Sequence, residues 1–143
     1  MITYKDIKLA VNRLIKSRFN IEINSNDVEE GFKRPSFFVQ LEDNERSGYE
    51  TQVHKSLTIR IYYFPKDRNK NSIELLDVQE QLENLFDLKL EVKDRYFNID
   101  SVQNNTPDGV LDFSFDIAFY EGREIDDTTN PIETMGELDF ERK

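Results

Sequence analysis

Apolar residues recur along this chain with two different periods, and each change of period marks a new element. Ile7, Ala10, Val11, Leu14 and Ile15 return at intervals of three, four and seven, which predicts a helix over 3–19 with one stripe facing a core. Thr3 with Asp6 three residues on resembles a capping box with Asp in the Glu position. A short alternating run, 19–25, reads as a strand. From Ser36 the period is two: Phe37, Val39 and Leu41 point one way, Phe38, Gln40 and Glu42 the other. The charged stretch 43–50 reads as a turn. Over 51–64, Val53, Leu57, Ile59, Ile61 and Tyr63 share a face with Lys55, opposite His54, Thr58, Arg60 and Tyr62. Two such runs joined by a turn predict a hairpin, and an apolar face opposite a polar one predicts an antiparallel sheet covered on one side.

The helical period then returns. Asn71 followed by Glu74 marks a helix start, and Ile73, Leu75, Leu76, Val78, Leu82, Leu85 and Phe86 form the apolar side of a helix ending near 86. Residues 88–92 and 96–102 read as strands, and the Asn-Asn-Thr-Pro-Asp-Gly run at 104–109 as a turn. The last strand, 110–120, sets Leu111, Phe113, Phe115, Ile117 and Phe119 against Asp112, Ser114, Asp116, Ala118 and Tyr120. The order α, β, hairpin, α, β, hairpin predicts an α+β fold. It has a mainly antiparallel sheet with two helices packed on one face, and an extended C-terminal arm. The expected division is a domain over 1–120 and an acidic arm over 121–143.

Composition supports one folded domain. The 143 residues include 11 Phe and 6 Tyr, large rings that each bury much area. Nineteen bases against 29 acids give a formal net charge of −10, which argues against wrapping nucleic acid by neutralising phosphates. The charge is uneven. The first helix carries Lys5, Lys8, Arg13, Lys16 and Arg18 against Asp6 alone. The second carries Glu74, Asp77, Glu80 and Glu83 with no base, and 121–143 holds eight acids and three bases. The basic face suits solvent or an acidic partner surface, so Lys5, Lys8, Arg13 and Lys16 are candidate partner contacts. The same holds for Lys66, Arg68 and Lys70 in the loop 65–71, for Glu45, Arg46 and Tyr49 in the turn 43–50, and for Asp126, Asp127 and Phe140 in the arm.

Catalytic and metal chemistry find little support. With no Cys and one His, disulfides, thiol nucleophiles and His-rich metal clusters are excluded. Phosphate-loop, dinucleotide and HExxH motifs are absent from the sequence. Asp112 and Asp116 lie roughly 13 Å apart along one strand face at 3.3 Å per residue, beyond the about 5–10 Å of paired-carboxylate catalysis. His54 has no nucleophile elbow. The expectation is no catalytic residue, no metal and no cofactor. No run approaches the roughly 20 apolar residues of a membrane span.

Several segments together resemble one family. They are the opening Met-Ile-Thr-Tyr-Lys-Asp-Ile-Lys-Leu-Ala-Val-Asn-Arg-Leu-Ile-Lys, and Arg-Pro-Ser-Phe-Phe-Val-Gln-Leu after Gly31, Phe32 and Lys33. Thr-Ile-Arg-Ile-Tyr-Tyr-Phe-Pro at 58–65 and Leu-Asp-Phe-Ser-Phe-Asp-Ile from 111 complete the set. Over 1–120 the chain resembles the phage tail terminator, or tail completion, proteins of Gram-positive phages, prophages and tail-like bacteriocins. The resemblance implies a non-enzymatic virion protein that forms a hexameric ring on the head-proximal end of the tail tube. Such a ring ends tube polymerisation and presents a docking surface for the head connector. Its implied partners are copies of itself, the tube protein and a sheath or head–tail connector protein, with DNA passing through the lumen unbound. Assembly in the host bacterial cytoplasm is implied too. Another head–tail joining or minor tail protein, a monomeric binding module and a small metal-dependent enzyme built on Asp112 and Asp116 stay open as alternatives.

Overall fold

The first helix, α1 (Tyr4–Arg18), starts where its capping residues place it. Thr3 Oγ1 accepts from the Asp6 N–H at 3.1 Å and Asp6 Oδ2 accepts from the Thr3 N–H at 3.0 Å, so two orphan donors of the first turn are satisfied locally. Ile7, Ala10, Val11 and Ile15 are buried along one stripe. The computed structural model describes residues 2–24, 33–67 and 69–123. The expectations for Gly31, Phe32, Arg68, Asp126, Asp127 and Phe140 lie outside the described residues.

Six further strands and a helix follow the short strand β1 (Glu22–Asn24). In chain order they are β2 (Ser36–Gly48), β3 (Gln52–Phe64), α2 (Ser72–Leu85), β4 (Lys89–Val92), β5 (Arg95–Asn98), β6 (Val102–Asn105) and β7 (Leu111–Gly122). The main sheet runs β1-β2-β3-β7-β6, antiparallel except that β1 pairs parallel with β2. β4 and β5 form a separate two-stranded hairpin. The register Phe37–Tyr63–Leu111, Val39–Ile61–Phe113 and Leu41–Ile59–Phe115 lines up one apolar face across three strands. α1 packs over β2, α2 packs over β7, and the helices touch each other. Both helices therefore cover that one face, with β4–β5 completing the core through Leu90, Val92 and Phe97. Phe37, Phe86 and Phe113 are among its largest fully buried side chains. The fold is α+β, as the two periods predict.

Four local expectations need correction. β2 does not end at residue 42. After an irregularity between Glu42 and Glu45 the pairing resumes, Glu45 opposite Ser56 and Arg46 opposite Lys55. Backbone pairing to β3 overrides the polar composition there, so the turn shrinks to Tyr49–Thr51, closed by the Tyr49 N–H donating to Gln52 O at 2.8 Å. Residues 96–102 are not one strand, because β5 pairs with β4 and β6 pairs with β7. β6 also runs on through Asn104 and Asn105, so the turn narrows to a 3-10 turn at Pro107–Gly109. There Asp108 (φ 53°) and Gly109 (φ 73°) both take the left-handed conformation that an Asp-Gly pair tolerates. Finally, Ile73 and Leu76 are 80% and 64% exposed rather than core residues. The helix buries Leu75, Val78 and Leu82 instead, and its 100° step turns 73 and 76 the other way.

Candidate functional site

Three surfaces remain once the core is closed: the uncovered sheet face and the two flanks. On the uncovered face Arg60 sits at the centre. Its Nε donates to Glu42 Oε1 at 2.9 Å, and its Nη1 donates to Asp112 Oδ1 and Oδ2 at 2.7 and 2.9 Å. These bonds, to Asp112 first and Glu42 second, hold the guanidinium's pKa above its ordinary value. The charge thereby cross-ties β2, β3 and β7. Burial, with Asp112 nearby, pushes the Tyr62 phenol up, and its ring stacks on Phe38 at 6.2 Å. Thr58 donates to Asp116 Oδ1 at 2.6 Å, so the two aspartates serve different partners. His54 packs on Tyr120 at 4.6 Å. Among the described residues no group of three or more acids and histidines is placed to hold a metal ion. An open hollow of about 440 Å³ lies between Asp43, Glu45, Asp100 and Asp116.

The first flank is basic. β1 covers only Ser36–Phe38 of the β2 edge, so among the described residues Val39–Gly48 has no strand on its outer side. Beside that edge α1 presents Lys5, Lys8, Leu9 and Asn12, and with Phe38–Leu41 they line a largely apolar groove of about 550 Å³. Leu9 is 47% exposed in it, and the buried Asn12 Oδ1 has no hydrogen-bond partner among the described residues. Arg13 and Lys16 lie exposed further along α1. Lys66 and Lys70 are exposed in the loop before α2, apart from this groove. Glu45 and Arg46, expected at a hairpin tip, stand exposed on β2 as ladder residues, and only Tyr49 belongs to the tip. Arg123 reaches that tip, donating Nε to Tyr49 O at 2.6 Å and N–H to Thr51 O at 3.1 Å.

The second flank is acidic. α2 lies toward the β7 side of the sheet and turns Ile73, Leu76, Asp77 and Glu80 outward. The Asn71–Glu74 pair marks the helix start correctly but forms no capping box, since the Asn71 side chain makes no cap bond. Glu74 Oε2 instead accepts from the Tyr63 O–H at 2.5 Å and the Lys66 N–H at 2.8 Å. Burial, then Glu74, pushes the Tyr63 phenol well up. Sequence periodicity reads Ile73 and Leu76 as core. The signal that separates them was present, since they lie on the Asp77–Glu80 side of the wheel and not on the Leu75–Val78–Leu82 side. Glu121 had no such signal. It is buried at the end of β7, accepting from the Ile2 N–H at 2.6 Å and from Arg95 Nη1 at 2.8 Å.

The described residues thus give a sheet with one covered face, flanked by a basic helix and an acidic one. A family model described as "Phage tail terminator protein" matches residues 6–129. The chain belongs to the phage tail terminator family. Among solved structures, this tail terminator is similar to the sheath/tube terminator of an extracellular contractile injection system, PVC, seen by cryo-EM in its extended state. The TM-score is 0.56 at 13% identity, over 96% of this chain and 66% of the other. At that identity the likeness is one of fold, and this chain spans just under two thirds of the neighbour's length. A search of curated proteins finds no match. The family is described as tail terminators and the neighbour as a sheath/tube terminator.

Proposed function

We propose that this chain assembles as a ring, six-membered as the resemblance implies, on the head-proximal end of a tail tube. There it stops tube growth and offers its outer surface to a head connector. The family match over 6–129 carries the reading. The chemistry suits it. A closed ring of identical subunits needs two unlike, complementary patches on each, and α1 carries five bases against one acid where α2 carries four acids and no base. A net charge of −10 lets DNA pass through a lumen without being held. Neither the ring nor the pore involves a catalytic step. The test is polymerisation of the cognate tube protein with and without this chain, scored by tube length in negative-stain electron microscopy. Shorter tubes capped at one end by a ring are expected. Tubes of unchanged length with bare ends would overturn the proposal.

A further inference from the structure

We infer that the groove between α1 and the β2 edge receives the outward face of α2 from a second copy of this chain. The inference rests on the ring reading and supplies its subunit contact. Three observations carry it. First, the faces match by position. Lys5, Lys8, Leu9 and Asn12 are spaced 0, 3, 4 and 7 along α1, and Ile73, Leu76, Asp77 and Glu80 have the same spacing on α2. Each set therefore makes one continuous stripe on its helix. Second, the chemistry is reciprocal. The groove is apolar at its floor, with Val39 and Leu41, and rimmed by two lysines. The α2 face offers two apolar side chains, 80% and 64% exposed, rimmed by two carboxylates. Exposed aliphatic residues side by side on a monomer are a mark of an interaction site. Third, the two patches lie on opposite flanks. α1 packs over β2 and α2 over β7, on either side of central β3. A groove on one flank and a knob on the other make a heterologous contact that repeats head to tail, and a ring closes only from such contacts. Charge at the rim selects this pairing over groove-to-groove or knob-to-knob, which would set like charges together.

The experiment is a charge swap read by light scattering on the full chain, alone and with tube protein, with circular dichroism confirming that each variant is folded. Lys5→Glu with Lys8→Glu should raise the concentration needed for assembly about a hundredfold, and Asp77→Lys with Glu80→Lys should do the same. All four together should recover assembly to within about tenfold of the native chain. An Ile73→Ser, Leu76→Ser variant, which removes no buried group, should assemble as poorly as the swaps. If the native chain assembles and the reversals leave it unchanged, the contact is wrong and the ring stands. A quadruple variant that fails to recover also overturns the contact. So does loss from the lysine reversals without loss from the α2 reversals, which would give the groove another occupant. If the native chain stays monomeric alone and with tube protein, the ring reading falls and this contact with it.

Discussion

α1 and α2 lie side by side on one face of one sheet and differ in length by a single residue, yet they are held in different ways. α1 carries its own start: Thr3 and Asp6 close the first turn within four residues of sequence. α2 borrows its start from elsewhere, because Glu74 reaches Tyr63 at the end of β3 and the backbone of Lys66. α1 buries its apolar stripe and leaves only Leu9 among its large hydrophobics well exposed; α2 leaves Ile73 and Leu76 outside. The difference separates the side chains that hold this fold together from those it leaves in solvent. Buried residues fix both helices, with a local cap on α1 and a borrowed start on α2, and the outward apolar residues of α2 contribute little to that.

The contrast can be broken from the inside. Leu82→Ala in α2 and Ile15→Ala in α1, both fully buried, should each cost about 2–5 kcal/mol of unfolding free energy by urea denaturation. Equal losses would show that both helices are anchored alike in the core. Next comes Glu74→Ala. It leaves the buried Tyr63 hydroxyl without its carboxylate and should cost about 1–3 kcal/mol. Thr3→Ala should cost about 1 kcal/mol, the usual loss for an N-cap.

Titration sharpens the same comparison. Backbone donation from Thr3, then Lys93 at 3.1 Å, holds Asp6 below its ordinary 3.8. A lowered carboxylate stabilises the fold above that pH, and the contribution is lost as pH falls below it. Asp67, lowered by the N–H groups of Asn69 and Lys70, adds to the same acid limb. Tyr63 is raised above its ordinary 10.0, so its contribution is complete below pH 10 and is lost as pH rises beyond. Asp6→Asn should flatten the acid limb of a stability–pH curve, and Tyr63→Phe the alkaline one. The smallest effect is the most diagnostic. Ile73→Ser should change the monomer's unfolding free energy by no more than about 0.5 kcal/mol, since its side chain is already in solvent.

α1, β3 and β7 were legible because their signals are local. The alternation of Leu111 to Phe119 survives intact in β7, and the Thr3–Asp6 box forms as written. What was not legible depends on partners distant in sequence. Nothing in Asp43–Gly48 announces a strand, since the pairing comes from β3. Nothing in the short run Glu22–Asn24 announces that it joins β2 in parallel. Of the candidate contacts, Lys5 and Lys8 fall in the α1 groove. Glu45 and Arg46 move into a ladder. Ile73 and Leu76 defeat the presumption that apolar residues face inward, a rule that runs one way only, since apolar atoms also make up much of a folded protein's surface.

The irregularity between Glu42 and Glu45 in β2 bears on how open the outer edge of that strand is to unwanted pairing. A long bare strand edge is a template on which any other extended chain can stack. Here Asp43 takes φ 52° and breaks the ladder midway, and Glu42, Asp43, Glu45 and Arg46 crowd the break with charge. An incoming strand meets this break partway along the edge, between two short regular stretches, one of them beside the α1 lysines. That interruption makes the edge a poor template for edge-to-edge stacking of sheets.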